Sequence, residues 1–282
     1  FREERLRWMG RAHNAEQAHR SIELVAKAGF TSWTIDLIYG LPHQTVMGFN
    51  RTIERVLAMD PDRLSIYNYA HMPSMFKPQR RINDADLPSA DTKLQILALA
   101  IKKLTDAGYV FIGMDHFAKP DDELAVAQRQ GRLHRNFQGY STYADCDMLS
   151  FGISSISKVG PTYSQNVKTA DEYYDALDTG SLPVFRGIEL TADDILRRSI
   201  IQALMCHFEL SIESIESAHL IDFRKYFEAE LDDMKEMERA GLLKIDHEWI
   251  TVLPPGRLLV RIISMVFDRN LRAGRQRATY SK

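Results

Sequence analysis

Along the N-terminal part of the chain, apolar positions fall in two alternating rhythms, and these predict helices and strands in turn. Asn14 followed by Gln17 makes a capping box for a helix with Ala18, Ile22, Val25 and Ala26 on its apolar face, closed by Gly29. Trp33 to Tyr39 is apolar and β-branched around a single Asp36, the pattern of a strand covered on both faces, as in parallel sheets. Thr45 caps a second helix through Val46, Phe49, Ile53, Val56 and Leu57. That helix must stop at Asp60, because Pro61 disfavours the helical conformation of the residue before it. Arg63 to Tyr69 reads as a strand, Asp91 to Ala107 as a helix ended by Gly108, Tyr109 to Met114 as a third strand, and Met148 to Val159 as a fourth. Such alternation predicts right-handed βαβ units in a parallel sheet or barrel, with ligands met at the C-terminal strand ends.

Past Gly160 the texture changes. Thr169 to Thr179 predicts a short helix. Thr191 opens another, with Ile195, Ile200, Ile201 and Leu204 on one stripe. Asp222 to Ala240 predicts a long amphipathic helix, LLKIDHEWITV two short strands about a turn, and PPGRLLVRIISMVF a last helix with proline at its start. This order resembles a winged-helix module. The helix from Asp222 to Ala240 carries six acidic residues between Glu228 and Glu238, which argues for packing or a lid rather than a DNA-reading face. The basic end from Arg269 to Lys282 is expected as a solvated tail. The fold class expected is therefore α/β, residues 1–188 forming part of a (β/α) barrel with a connecting helix and 189–282 a helical, winged-helix-like C-terminal domain.

Composition narrows the field. With 282 residues and 45 % hydrophobic content the chain can bury a substantial core. A net charge of −2 argues against a nucleic-acid or membrane-surface partner, so any cationic site must be local. No apolar run reaches the roughly eighteen residues of a membrane span. The two cysteines, Cys146 and Cys206, form no metal or disulfide pattern, and a reducing, cytoplasmic setting is expected. The first residue is Phe1 inside a charged, helix-like segment, which is read as a fragment.

The densest chemistry lies between Met114 and Tyr140, MDHFAKPDDELAVAQRQGRLHRNFQGY. A polar stretch of this length after a strand is more often a site than a connector. Its alternative is a solvated loop around one short helix. Arg132, His134 and Arg135 are the nominees for an acidic ligand, since guanidinium groups bind carboxylates in bidentate fashion, with surface salt bridges as the alternative role. The spacings of His71, His116 and His134 match no zinc pattern. Asp36 is the sharpest candidate of the first half, because a carboxylate within an apolar strand costs several kcal/mol unless partnered. It either caps a neighbouring loop or contacts a ligand, for instance a ribose hydroxyl. Nothing matches a GxSxG, Walker or GxGxxG motif.

Taken together, FIGMDHFAKPDDELAVAQRQGRLHRNFQGY, IDLIYGLPHQT, DRLSIYNYAHMP and the serine-rich GISSIS closely resemble the oxygen-independent coproporphyrinogen III oxidases. The likeness runs from about Arg11 to the last helix. It implies a radical S-adenosylmethionine enzyme of porphyrin biosynthesis: a partial (β/α) barrel holding a [4Fe-4S] cluster and two S-adenosylmethionine molecules. A 5′-deoxyadenosyl radical then starts the oxidative decarboxylation of coproporphyrinogen III to protoporphyrinogen IX. Carried over by motif, the S-adenosylmethionine contacts fall on Arg11 in MGRAHN, Asp36 in IDLIYG, Ala70 in YNYAHMP and Ile156 in SSISKVG. An electron donor, an electron acceptor and a monomeric state are expected with it. The family's CxxxCxC cluster motif is absent, and neither Cys146 nor Cys206 can replace it, so the chain resembles the family's C-terminal part and is expected to be inactive alone. The alternatives are a cluster-free porphyrin carrier and a related radical enzyme that modifies heme.

Overall fold

The sheet that anchors the first half is four-stranded, and only one of its three pairings is parallel. The computed structural model describes residues 15–30, 32–144 and 146–274. Two compact units emerge, Phe1–Val126 and Ala127–Ser281, divided within one helix.

In the first unit α1 (Ala15–Lys27) precedes β1 (Thr34–Tyr39), α2 (Val46–Leu57), β2 (Arg63–Asn68), two 3₁₀ turns, α3 (Ala90–Asp106), β3 (Val110–Gly113), β4 (His116–Ala118) and the start of α4 (Glu123–Arg129). Asn14, the expected cap of α1, lies outside the described residues. Thr45 caps α2 as its sequence predicts, its hydroxyl accepting the Gly48 N–H at 3.1 Å. The sheet order is β1-β2-β4-β3. β1 and β2 run parallel, whereas β4 is antiparallel to both β2 and β3. The all-parallel expectation fails because Gly113 and Met114 take positive φ (148° and 52°), which folds the chain straight back as a hairpin and inserts β4 between β2 and β3.

Helices α2 and α3 cover one face of this sheet. Leu37, Tyr39, Leu64, Ile66 and Phe117 pack there against Phe49, Ile53 and Val56 of α2 and Ile96, Ala100 and Leu104 of α3. Each fully buried side chain of this size contributes about 1.5–3 kcal/mol. The other face stays open: Thr34 and Asp36 are exposed and Ile38 half-buried, so β1 is covered on one side rather than on both. The far end of the sheet is laced by charge, with Arg63 binding Asp122 and Glu123 at 2.8 Å each and Lys119 binding Asp60 at 2.9 Å.

The second unit holds β5 (His134–Asn136), β6 (Gly139–Ser141), β7 (Ile156–Val159), β8 (Thr162–Asn166), α5 (Ala170–Asp178) and β9 (Val184–Glu189). It continues through α6 (Ala192–His207), β10 (Glu209–Ser211), α7 (Ile212–His219), α8 (Phe223–Tyr226), α9 (Glu228–Arg239), β11 (Leu243–Ile245), β12 (Trp249–Val252), α10 (Pro254–Arg257), α11 (Val260–Met265) and α12 (Arg269–Gly274). Its three sheets, β5-β6, β7-β8-β9 and β10-β12-β11, are antiparallel throughout. The fourth parallel strand expected from Met148 to Val159 is instead a bridge at Met148 and the short β7, because Gly152 and Ser154 at positive φ bend the chain between them.

The long helix expected from Asp222 to Ala240 breaks at Phe227, whose φ of −110° and ψ of 28° end α8 and begin α9. The break turns Phe227 into a buried aromatic cluster with Phe223 and Phe267, ring centroids 5.0 and 5.4 Å away. The final helix likewise divides into α10 and α11. Within α10, a Cβ on Gly256 would sit 1.9 Å from the Leu242 carbonyl oxygen, so only glycine lets that backbone approach. Nor is Arg269 a solvated tail residue: it binds Asp193 at 2.9 Å and Asp194 at 3.1 Å.

Helix α6 is tied to α9 by charge. Arg197 donates to Asp193 at 2.9 Å, to Glu230 at 2.9 Å and to the Phe267 carbonyl at 3.2 Å, and its guanidinium lies 5.2 Å from the Phe227 ring centre. Glu230 is buried. Removing one partner of such a pair strands the other charge, at a cost of about 3–5 kcal/mol, whereas replacing both with apolar groups is often neutral. Arg197→Ala is thus expected to lower unfolding free energy by about 3–5 kcal/mol in urea titrations, with Arg197→Met/Glu230→Leu recovering most of it. A loss below about 1 kcal/mol for the single variant would show the pair to be dispensable.

At the end of α6, burial holds the His207 imidazole below its ordinary value of 6.5, only partly offset by Glu209. The unfolded chain therefore binds this proton first as pH falls. The associated stability is complete above about 6.5 and is lost as pH drops toward the folded-state value. Melting temperature should decline less steeply from pH 6.5 to 5 in His207→Gln than in the parent, and parallel curves would refute the assignment.

Candidate functional site

Two surfaces carry the chemistry, one in each unit. In the first unit it is the open face of the sheet. The register places Asp36 of β1 beside Ser65 of β2, and Ser65 beside His116 of β4. Because strands lie about 4.8 Å apart, these three polar side chains form one row across the face. Tyr67 lies on the same face, its ring edge-on to His116 at 6.0 Å. Asp36 is exposed, so the premise that it is a buried carboxylate in need of a partner is wrong; β1 has one uncovered face, and Asp36 points from it.

The turn after β1 is built to hold this end of the sheet. The Gln44 side-chain oxygen accepts the N–H groups of Gly40 at 2.5 Å and Leu41 at 3.3 Å, while its amide donates to the Ile38 carbonyl at 3.3 Å. Gly40 has φ of +86°, and a Cβ there would lie 3.1 Å from the Asn68 side chain. Burial, followed by the charge of Asp115, pushes the Tyr39 hydroxyl up to about 12, so it stays protonated at neutral pH. Ala70 is exposed two residues beyond β2, and its carbonyl accepts from the Gln79 side chain at 3.1 Å. His71 is held between Asp84, at 2.8 Å, and the Tyr69 hydroxyl, at 3.3 Å. Arg11 lies outside the described residues.

In the second unit the β5-β6 hairpin, the turn between β7 and β8, and helix α6 line a solvent-open cavity of about 910 Å³. Helix α6 supplies Ile195, Arg198, Ser199, Gln202 and Met205, one stripe at helical spacing. His134 and Arg135 line the cavity. Arg132 is exposed and donates instead to Gln130 at 3.0 Å. Gln202 fixes the hairpin by a pair of hydrogen bonds to the backbone of Arg135, its oxygen accepting the N–H at 3.2 Å and its amide donating to the carbonyl at 2.5 Å. Tyr140 adds a third tie through the Met205 carbonyl at 3.0 Å. Lys158, Tyr163 and Asp147 complete the polar wall. The sequence reading did not name Lys158, Arg198 or Gln202, which the structure places on this cavity. The i, i+3, i+4, i+7 run from Ile195 through Arg198, Ser199 and Gln202 was the available signal.

Ile156 begins β7, half-buried, with its carbonyl accepting the Ser150 hydroxyl at 2.7 Å. The serine-rich segment before it is stitched largely by its own hydroxyls, such as Ser155 donating to Phe151 at 2.5 Å. The two cysteines do not suit a cluster: Cys146 is exposed, and burial pushes the Cys206 thiol up to about 12. Among the described residues, no group of three or more His, Cys, Asp or Glu is placed to hold a metal. No described helix is long and apolar enough to cross a membrane.

Comparison with known proteins follows these features closely. Residues 190–259 match the family model described as the HemN C-terminal domain. The chain is 48 % identical over 263 residues to an oxygen-independent coproporphyrinogen III oxidase of Pseudomonas aeruginosa, covering 93 % of this chain and 57 % of that protein. It is 48 % identical to the protein of the same description from Salmonella typhimurium, covering 100 % and 62 %. A relative of that description from Thermostichus vulcanus is 45 % identical, with 93 % of this chain and 80 % of the relative covered. Among solved structures, one described as "Coproporphyrinogen III oxidase (HemN) from Escherichia coli is a Radical SAM enzyme" superposes with a TM-score of 0.92 at 48 % identity, over 96 % of this chain and 62 % of that one. The chain thus spans about three fifths of the length of the first relatives it matches. Its α/β fold, with open sheets and helical regions, is of the radical-SAM type seen in that structure. The chain belongs to the family of oxygen-independent coproporphyrinogen III oxidases.

Proposed function

We propose that this chain serves the oxygen-independent oxidative decarboxylation of coproporphyrinogen III to protoporphyrinogen IX in porphyrin biosynthesis. The observation that carries this reading is identity of 48 % sustained over the full length of the chain, together with the matching fold. In this reading residues 1–188 are the C-terminal portion of a partial (β/α) barrel and 189–282 a winged-helix-like domain. The helix-strand order from α6 to β12, with its three-stranded antiparallel sheet, supports the second assignment. A cytoplasmic monomer working with an electron donor and an electron acceptor completes the proposal.

S-adenosylmethionine supplies the radical chemistry when bound in such enzymes. The residues of this chain assigned to it are Arg11, Asp36, Ala70 and Ile156. An exposed carboxylate on an open sheet face can accept hydrogen bonds from ribose hydroxyls, and that is the role proposed for Asp36. Substrate carboxylates fall to Arg132, His134 and Arg135, of which His134 and Arg135 line the cavity. The [4Fe-4S] cluster does not fit the residues present, since two cysteines cannot provide three thiolates and one of them is buried and protonated.

Anaerobic assays on the protein expressed from its complete reading frame test the proposal. S-adenosylmethionine cleavage coupled to protoporphyrinogen formation is expected, and porphyrin binding without either product would favour a cluster-free carrier. In the same protein, Asp36→Ala should weaken S-adenosylmethionine binding roughly tenfold or more, the loss of one or two charge-assisted hydrogen bonds, and unchanged affinity by calorimetry would remove it from the site. Arg135→Ala should raise substrate KM by a comparable factor; unaltered KM and kcat would exclude it as a substrate contact.

A further inference from the structure

The geometry points to a carboxylate-binding site inside the second unit's cavity, formed by Arg198 of α6 and Lys158 of β7 together with Arg135 of β5. Its ligand is a carboxylate side chain of the tetrapyrrole. This deepens the functional reading above, on which the choice of ligand rests, and makes Arg198 and Lys158 substrate-positioning residues.

Charge balance is the first argument. Arg135, Lys158 and Arg198 line one cavity, and none of them forms an ion pair with a described residue. Asp147, also in the wall, accepts the Gly160 N–H at 2.8 Å and keeps its charge, so the lining carries three cations against one carboxylate. Arg198 has a single long contact, 3.4 Å to the Tyr163 hydroxyl. The Nη1 of Arg135 is buried with no hydrogen-bond partner, while its guanidinium lies 5.3 Å from the Tyr140 ring centre. A buried donor left unmade costs about 1–3 kcal/mol, more when charged. The excess of cations over the one carboxylate around this space is relieved most directly by an anion entering it, and planar guanidinium groups favour a carboxylate.

Shape is the second argument. Phe137 and Tyr163 meet edge to face at 5.3 Å on the cavity wall, and Met148 and Met205 also line it. About 910 Å³ exceeds the needs of one carboxylate and admits the side chain with part of an apolar ring attached. Adaptable methionines and an aromatic edge suit that ring.

Coproporphyrin III, the fluorescent oxidised form carrying the same four propionates, serves as probe, with its tetramethyl ester as the uncharged control. Fluorescence titration of the protein from its complete reading frame should show the acid bound at least tenfold more tightly than the ester. Arg198→Gln and Lys158→Gln should each weaken acid binding about tenfold and erase the preference over the ester, while the exposed surface variant Lys235→Gln binds as the parent does. Equal affinity of the parent for acid and ester overturns the site, as does unchanged acid affinity in both cavity variants. Should either variant fail to fold, salt dependence decides: parent binding that is insensitive to added salt overturns the proposal. In turnover assays the variants should raise KM more than they lower kcat, and parental KM in both removes them while leaving the proposed reaction intact. Tight acid-selective binding in a protein that forms no product would overturn the reaction and leave the carboxylate site standing.

Discussion

The second unit is organised around one side-chain amide. Gln202 presents an oxygen and an N–H₂ group to the N–H and carbonyl of a single residue, Arg135, and so extends the hydrogen bonding of β5 on the side where, among the described residues, no further strand pairs with it. A hairpin of two three-residue strands is at best marginal in water, so its position depends on what it docks against. Each backbone group left unmet in a part-buried setting would cost about 1–3 kcal/mol. With both met by a helix-borne amide, and Tyr140 bonded to Met205 one turn further on, the Arg135 side chain stands on a fixed backbone. Placement of a binding group by a helix rather than a free loop is what gives a site precision.

The same helix carries a different load elsewhere on its surface. Thr191 and Asp194 close a reciprocal capping box at its start, and Asp194 also holds Arg269. Asp193 and Arg197, one turn apart, reach Tyr226, Glu230 and Arg269. Leu196, Ile200 and Leu204 run along the line between and are buried. Local cap, apolar line, ion-pair network and cavity stripe all specify the same helix, and such agreement between levels is what makes a segment fold to one structure.

Most of the helices and central strands were legible because their signals are local. Thr45, Thr169 and Thr191 cap the helices their sequence predicts, since a hydroxyl needs only the next turn of backbone. Strand direction was not legible. The reversal at Gly113 and Met114 depends on two positive-φ residues, and a buried run such as β3 looks the same whichever way its neighbour runs. The break at Phe227 was hidden for a related reason: its ring is drawn to Phe267, a partner far along the chain that no helical periodicity reveals. Asp36 was singled out on a premise of burial that does not hold, because coverage of a strand face depends on elements its own residues do not encode. Arg135 was nominated from the density of its segment, whereas Lys158 and Arg198 join it on one cavity only when three distant elements converge.

Two arginines in this unit show how a structural cation differs from one held ready. Arg197 donates to two carboxylates and a carbonyl and lies against an aromatic ring, so its fork is saturated within the fold and any added anion would have to displace a partner. Arg135 has the same chemistry and an aromatic face beneath it and lines the cavity, yet its buried Nη1 has no acceptor. For Arg197 the desolvation of the guanidinium is recovered by attraction to Asp193 and Glu230. For Arg135 no described carboxylate does the same. Stability alone would favour filling that space with an apolar side chain or an acidic partner. The cavity wall instead gathers Arg135, Lys158 and Arg198 with one carboxylate, Asp147, and this excess of positive charge distinguishes it from the packed core on the rest of the helix.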